Sequence, residues 1–232
     1  MKRYSQILCA ILSVALFVAC NTAYSRLNCK NKEGELHQLF EQGNLEGFQD
    51  LLSINEVNAN AKCKKHPPLV IRAAKKDDKL AIKALIQGNA KFNINIKEKG
   101  MTALMYASYL GNKSALEALL EGKANPNLKN NKKWTALMMA AQKGYEEIVE
   151  ALIKHDAKPN IENSDGVTAL MFASYHGYAP TVKVLLAGGA KVKIKRNDGK
   201  NALMLAKQNG HHDVVELIGV SMLPVAKVLS ED

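Results

Sequence analysis

Apolar and polar positions alternate along this chain in a pattern that returns at fixed intervals. Three segments carry it most clearly: Thr102-Ala-Leu-Met-Tyr-Ala-Ser, Thr135-Ala-Leu-Met-Met-Ala-Ala and Thr168-Ala-Leu-Met-Phe-Ala-Ser, with Asn201-Ala-Leu-Met-Leu-Ala-Lys as a fourth, each 33 residues after the last. Counting back 34 residues from Thr102 gives a degenerate copy, Pro68-Leu-Val-Ile-Arg-Ala-Ala. A further 34 back, Gly34-Glu-Leu-His-Gln-Leu-Phe keeps only the apolar rhythm. A fixed period of this size marks a stacked array rather than one compact core. Each unit predicts the same elements. Thr102, Thr135, Thr168 and Asn201 are N-caps, because a side-chain oxygen there accepts a free backbone N–H. A short helix follows, with Leu137 and Ala140 spaced to share a face. Gly111, Gly144, Gly177 and Gly210 close it in the left-handed conformation. A second helix comes next, as at Glu146 to Ile153 or Thr181 to Leu186, with Pro180 near its start, where a missing N–H costs nothing. Its apolar pairs (Leu119 and Leu120, Leu152 and Ile153, Leu185 and Leu186) supply the core side. A polar stretch such as Asn160 to Gly166 then reads as a turn or hairpin.

This pattern resembles the ankyrin repeat in period and in its Thr-Pro-Leu-His-x-Ala-Ala signature. The resemblance implies an all-α ankyrin-repeat solenoid of about six helix-turn-helix units with hairpin loops. The units fall at about 34–67, 68–101, 102–134, 135–167, 168–200 and 201–218. There are three departures from the family pattern. Ala replaces the signature Pro, Met105, Met138, Met171 and Met204 replace the His, and Lys91, Asn125, Lys158 and Lys191 stand where the family has Asp. The tail at 219–232 carries Met222, Leu223, Val225, Val228 and Leu229, and is expected to cover the exposed end of the last unit.

The start of the chain follows a different pattern. Lys2 and Arg3 precede Ile7 to Ala19, a run of 13 residues without a charge. That is shorter than the ~20 apolar residues a membrane span needs, and it reads as an export signal. Two cleavage sites compete. Ala23-Tyr24-Ser25 is a small-x-small motif that would make residues 1–25 the signal and 26–33 a linker. Leu16-Phe17-Val18-Ala19-Cys20 resembles the bacterial lipoprotein box, with Phe17 an unusual occupant, and would end the signal at residue 19 with Cys20 lipidated. Export places the mature chain in the periplasm, on the envelope or outside the cell. It also leaves Cys29 and Cys63, which an oxidising compartment is expected to join in a disulfide. Cys29 precedes the first unit, so it can fold back.

Composition sharpens this picture at two points. Aromatics are only 6% of the 232 residues, which suits thin Ala/Leu repeats that have no single centre to fill. The formal net charge is +10. Loss of Lys2 and Arg3 with the signal leaves +8. Lys91, Lys158 and Lys191 recur at one point of their units, and the loops add Lys195 and Arg196 among others. This basic strip is expected to draw an anionic partner in a salt-sensitive way. Acidic protein and anionic lipid headgroups are the candidates. Nucleic acid is not expected, since an exported protein seldom meets it and no aromatics interleave the Lys runs for base stacking.

Catalytic chemistry finds no support. No Gly-x-Ser-x-Gly, phosphate-binding Gly-x-x-x-x-Gly-Lys, His-Glu-x-x-His or Cys-x-x-Cys occurs, and these are the motifs that would place a nucleophile, a phosphate or a metal. Cys63 and His66 read as a disulfide cysteine beside a loop histidine. The Met column would sit about 8–10 Å apart between stacked helices, too far for shared metal ligation, so these residues read as gap-fillers. His211-His212 reads as a helix start. No cofactor or metal is expected. The resemblance also implies a concave binding face. It would be lined by the residues before the signature Thr (Met101, Trp134, Val167, Lys200) and by the first-helix ends (Tyr109, Leu110, Gln142, Lys143, Tyr175, His176). Trp and Tyr are frequent binding hot spots. The expected function is a monomeric, non-enzymatic module that binds a protein partner through Met101, Tyr109, Trp134, Lys143, Val167, Tyr175 and His176, with Lys91, Lys158, Lys191, Lys195 and Arg196 steering. A secreted effector or scaffold acting on host proteins, and an accessory to a periplasmic enzyme, are the alternatives.

Overall fold

The structure is a computed structural model that describes residues 31–54, 57, 67–88, 97–98 and 100–222. The export signal, Cys20, Cys29, Cys63, His66, Lys91 and the tail beyond residue 222 lie outside the described residues. Twelve α-helices occur among those described, arranged as six consecutive pairs. They are α1 Asn31–Gln42 and α2 Leu45–Leu52, α3 Leu69–Lys75 and α4 Lys79–Gln87, α5 Ala103–Leu110 and α6 Lys113–Glu121, α7 Ala136–Lys143 and α8 Glu146–Lys154, α9 Ala169–His176 and α10 Ala179–Ala187, and α11 Ala202–Gln208 and α12 His212–Ser221. One short antiparallel ladder, β1 Lys97–Glu98 with β2 Met101–Thr102, pairs Lys97 with Thr102 and Glu98 with Met101. The fold is therefore an all-α repeat solenoid with hairpin connections. Its last helix runs to Ser221, so Gly219 to Ser221 belong to that helix and not to a tail.

The chain divides into two compact units, residues 1–69 with 84–93, and residues 70–83 with 94–232. In the first, α1 packs on α2 around Leu36, Phe40, Phe48, Leu51 and Leu52. The Phe40 and Phe48 rings lie 6.1 Å apart there. In the second, α5, α7, α9 and α11 pack side by side in sequence order, and α6, α8, α10 and α12 form a second row. Composition follows position. Helix α7 has neighbours on both sides and buries Ala136, Leu137, Met138, Met139, Ala140 and Ala141. The outer helix α8 buries only Ile148, Val149 and Leu152 and keeps its charges in water, which is the stripe that the helical period demands.

The expected caps form. Thr102, Thr135, Thr168 and Asn201 each accept the backbone N–H of the Met three residues on, at 3.2, 3.3, 3.4 and 2.9 Å. At Thr102 the exchange is mutual, because the Met105 sulfur accepts the Thr102 N–H at 3.5 Å. Met105, Met138 and Met171 are buried, as gap-fillers should be, whereas Met204 is 47% exposed on the last pair. Gly111, Gly144 and Gly177 take φ of 82°, 72° and 75°. The degenerate second unit uses Asp77, at φ 56°, in the same register. Helix α11 stops one residue short at Asn209, with Gly210 left-handed just beyond it.

A second left-handed column lies at the hairpin tips. Gly100, Gly166 and Gly199 hold it at φ 80°, 73° and 83°, and Lys133 holds it at 59°. A side chain there is disfavoured by contact of Cβ with the neighbouring carbonyl. Lys133→Gly removes that strain and keeps the Lys133 N–H bond to the Asn130 carbonyl. It is expected to raise stability by about 0.5–1 kcal/mol, or roughly 2–4 °C in melting temperature. Thermal denaturation followed by circular dichroism measures it, and a lower melting temperature would contradict this account of the turn.

Candidate functional site

The hairpins are built by asparagine. The Asn130 side-chain oxygen accepts the N–H groups of Lys132 and Trp134, both at 2.9 Å, and Asn163 does the same for Asp165 and Val167, also at 2.9 Å. The two N–H groups of each loop point inward, and one short polar side chain satisfies both. The next loop has Arg196 in that register. There Asp198 takes over, accepting the Lys200 N–H at 3.2 Å and the Arg196 Nε–H at 2.6 Å. The hydrogen bond from Arg196, helped by the Lys200 N–H, holds the Asp198 carboxyl down at about 2.

Neighbouring loops are then tied together. Asn127 donates to the Asp156 carbonyl at 2.9 Å and accepts the Lys158 N–H at 2.8 Å. Asn160 repeats this on the Gly189 carbonyl at 2.9 Å and the Lys191 N–H at 2.7 Å. These ties fix the backbone of two strip lysines. The Lys158, Lys191 and Lys195 side chains are exposed, and none makes an ion pair among the described residues. Arg196 departs from the expected strip. It is half-buried and committed to Asp198, so it adds no free positive charge.

The expected concave residues divide into two groups. Tyr109 and Tyr175 are 43% and 47% exposed at the ends of α5 and α9, with Leu110 beside the first. Lys143 is exposed on α7 and sets its ammonium 4.7 Å from the centre of the Tyr109 ring. His176 is exposed, edge-on to Tyr175 at 5.0 Å and stacked with Tyr178 at 5.6 Å. Trp134 and Val167 form the other group. Trp134 is half-buried, with its ring 4.5 Å from that of Phe172, and Val167 is 8% exposed. Neither offers the free side chain that the sequence pattern suggested. They lie where the hairpin closes over α9, and together with Phe172 they line a cavity of about 400 Å³. Met101 is half-buried in β2, where its sulfur accepts a bond from Asn130 at 3.6 Å.

The helix starts carry the remaining recurring polar contacts. His211 is the residue before α12, as expected, and its Nε2 lies 3.0 Å from the Tyr175 carbonyl. Asn112 donates to the Ala74 and Lys75 carbonyls at 2.7 and 3.1 Å. Among the described residues no three His, Cys, Asp or Glu side chains are grouped to hold a metal ion, and no helix is long and apolar enough to cross a membrane.

A family model for ankyrin repeats in three copies matches residues 36–130, 110–196 and 157–221. This chain belongs to the ankyrin repeat family. Members of that family generally serve as non-enzymatic protein-binding scaffolds, and the repeats mark this chain as a protein–protein interaction module. No curated protein matches it.

The Arg196–Asp198 pair yields a pH prediction. Because the folded carboxyl titrates below its ordinary 3.8, the pair's contribution is fully present above that value. It is lost as pH falls toward about 2. Carboxyl NMR of Asp198 should give a midpoint near 2. A midpoint near 3.8 would show that the pair is not held in solution.

Proposed function

We propose that this ankyrin-repeat protein is exported and binds a protein partner across the ends of its first helices. Tyr109 and Tyr175 anchor, Lys143 and His176 flank them, and Lys158, Lys191 and Lys195 steer an acidic partner into place. The observation that carries this reading is the exposure of two tyrosines at one register of α5 and α9, in an array that buries most of its other large apolar side chains. An exposed Tyr supplies contact area at low entropic cost, and a preformed backbone loses little freedom on docking. The unpaired lysines on asparagine-fixed backbone add a positive edge whose attraction extends over a Debye length, ~8 Å at physiological salt. Export rests on the basic start and 13-residue apolar run of the first segment. The expected site is narrower than the sequence pattern alone suggested: Arg196 does not steer, and Trp134 and Val167 act through the cavity they line.

The first test is capture by the mature chain from its native cells, with mass spectrometry of what is held. Tyr109→Ala with Tyr175→Ala should then weaken that complex at least about tenfold while moving the melting temperature little, because exposed positions rarely contribute more than about 0.5 kcal/mol to stability. Unchanged affinity would remove the tyrosines from the interface. Lys158→Glu with Lys191→Glu should slow association at low salt and matter less at high salt. Equal rates at both salts would reduce the strip to a solvated edge. Cell fractionation tests export, and wholly cytoplasmic protein would contradict it.

A further inference from the structure

The cavity beside Trp134 has a chemistry that the basic edge does not predict. The Trp134 and Phe172 rings, tilted by 37°, and Val167 give it an apolar wall. Asp165, Arg196 and Asp198 line it as well. Arg196 and Asp198 neutralise each other through their ion pair. Asp165 differs from them. It is exposed, and its carboxylate makes no hydrogen bond or ion pair among the described residues. The lining therefore holds one uncompensated negative charge together with the Trp134 indole.

An apolar occupant would strip water from Asp165 without replacing it, and an anionic occupant would face like charge. A cation on an apolar stem meets both demands, since its stem covers the rings and its head pairs with the carboxylate. A guanidinium fits better than an ammonium, because it stacks flat on an aromatic ring and can engage a carboxylate with two parallel N–H groups. The wider surroundings add a restriction. Lys132 and Lys133 are exposed on the hairpin that carries Trp134, and Lys195 precedes Arg196. These lysines repel a polycationic segment and favour acidic neighbours around the one inserted cation. We propose that this cavity receives a single arginine side chain of the partner, carried in an otherwise acidic segment. The proposal rests on the reading of the chain as a protein-binding module and specifies one residue of what it binds.

Trp134 is the chain's only tryptophan, so its emission reports on this cavity alone. The full chain is titrated with acetyl-Glu-Gly-Arg-Gly-Glu-amide and with the same peptide carrying citrulline, which keeps the shape of arginine and loses its charge. The arginine peptide should give a saturable change in emission, at about tenfold lower concentration than the citrulline peptide. Asp165→Asn should abolish that difference. The fold does not depend on this carboxylate, since Asp165 is tied by its backbone N–H to Asn163 and by its carbonyl to Asn197. Equal affinity for the two peptides, no saturable change with either, or an arginine preference that survives Asp165→Asn would each overturn the proposal. If the arginine preference fails while charge reversal at Lys158 and Lys191 still weakens partner capture at low salt, only the cavity assignment falls. A persistent arginine preference without any effect of the tyrosine or lysine substitutions would instead refute the wider surface.

Discussion

Each repeat from α7 onward is seated on its predecessor through a glycine that an incoming ring covers. Gly111, Gly144 and Gly177 end the first helices in left-handed backbone. Over them lie Tyr145, Tyr178 and His211, the residues that open the second helix of the following repeat. A β-carbon at Gly144 would fall 2.8 Å from the Tyr178 ring, and one at Gly177 would collide with the His211 ring. The same residue therefore turns the chain and admits the next unit. In a stacked array, stability is approximately a sum over such neighbour interfaces, so this contact sets the spacing from which the other inter-repeat bonds follow. The loop ties through Asn127 and Asn160, the ion pair Lys113–Glu147 and the register of Tyr109 with Tyr175 follow that spacing.

What could be read from the sequence was mostly local. A Thr or Asn that caps an N–H three residues away, and a glycine that ends a helix, act within one turn, so their 33- or 34-residue recurrence shows directly in the chain. Contacts between repeats left weaker marks. Asn127 and Asn160 are 33 residues apart, but nothing nearby says that each reaches the backbone of the next unit. Left-handed Lys123 and Lys133 run against the preference of their residue type, and bonds around them hold the turn: Ala124 N–H to the Leu119 carbonyl in one case, Lys133 N–H to the Asn130 carbonyl in the other. Trp134 looked like an exposed anchor because its cover, Phe172, stands 38 positions away. The Arg196–Asp198 pair was within reach, as the two residues are two positions apart in a tight turn.

The surface is charged in a graded way. Free lysines line the hairpin edge, two exposed tyrosines stand on the helix ends, and a cavity of opposite local sign sits where an aromatic pair meets the loops. On the proposed reading such an arrangement would discriminate by rejection as well as attraction: the edge would repel a strongly basic segment, and a segment without a cation would leave Asp165 unpaired.

The glycine column serves packing between repeats as well as turning the chain, and the protein contains its own control. Gly210 has the same left-handed backbone, at φ 73°, yet among the described residues no atom lies within 4 Å of where its β-carbon would be. Chemical denaturation of Gly144→Ala and Gly210→Ala separates the two contributions. The backbone cost alone, about 1–2 kcal/mol, should appear at Gly210. Gly144→Ala should exceed it by at least about 1 kcal/mol, because the Tyr178 ring has to be displaced as well. Equal losses at the two positions would contradict the account, since the column would then be a requirement of the turn alone.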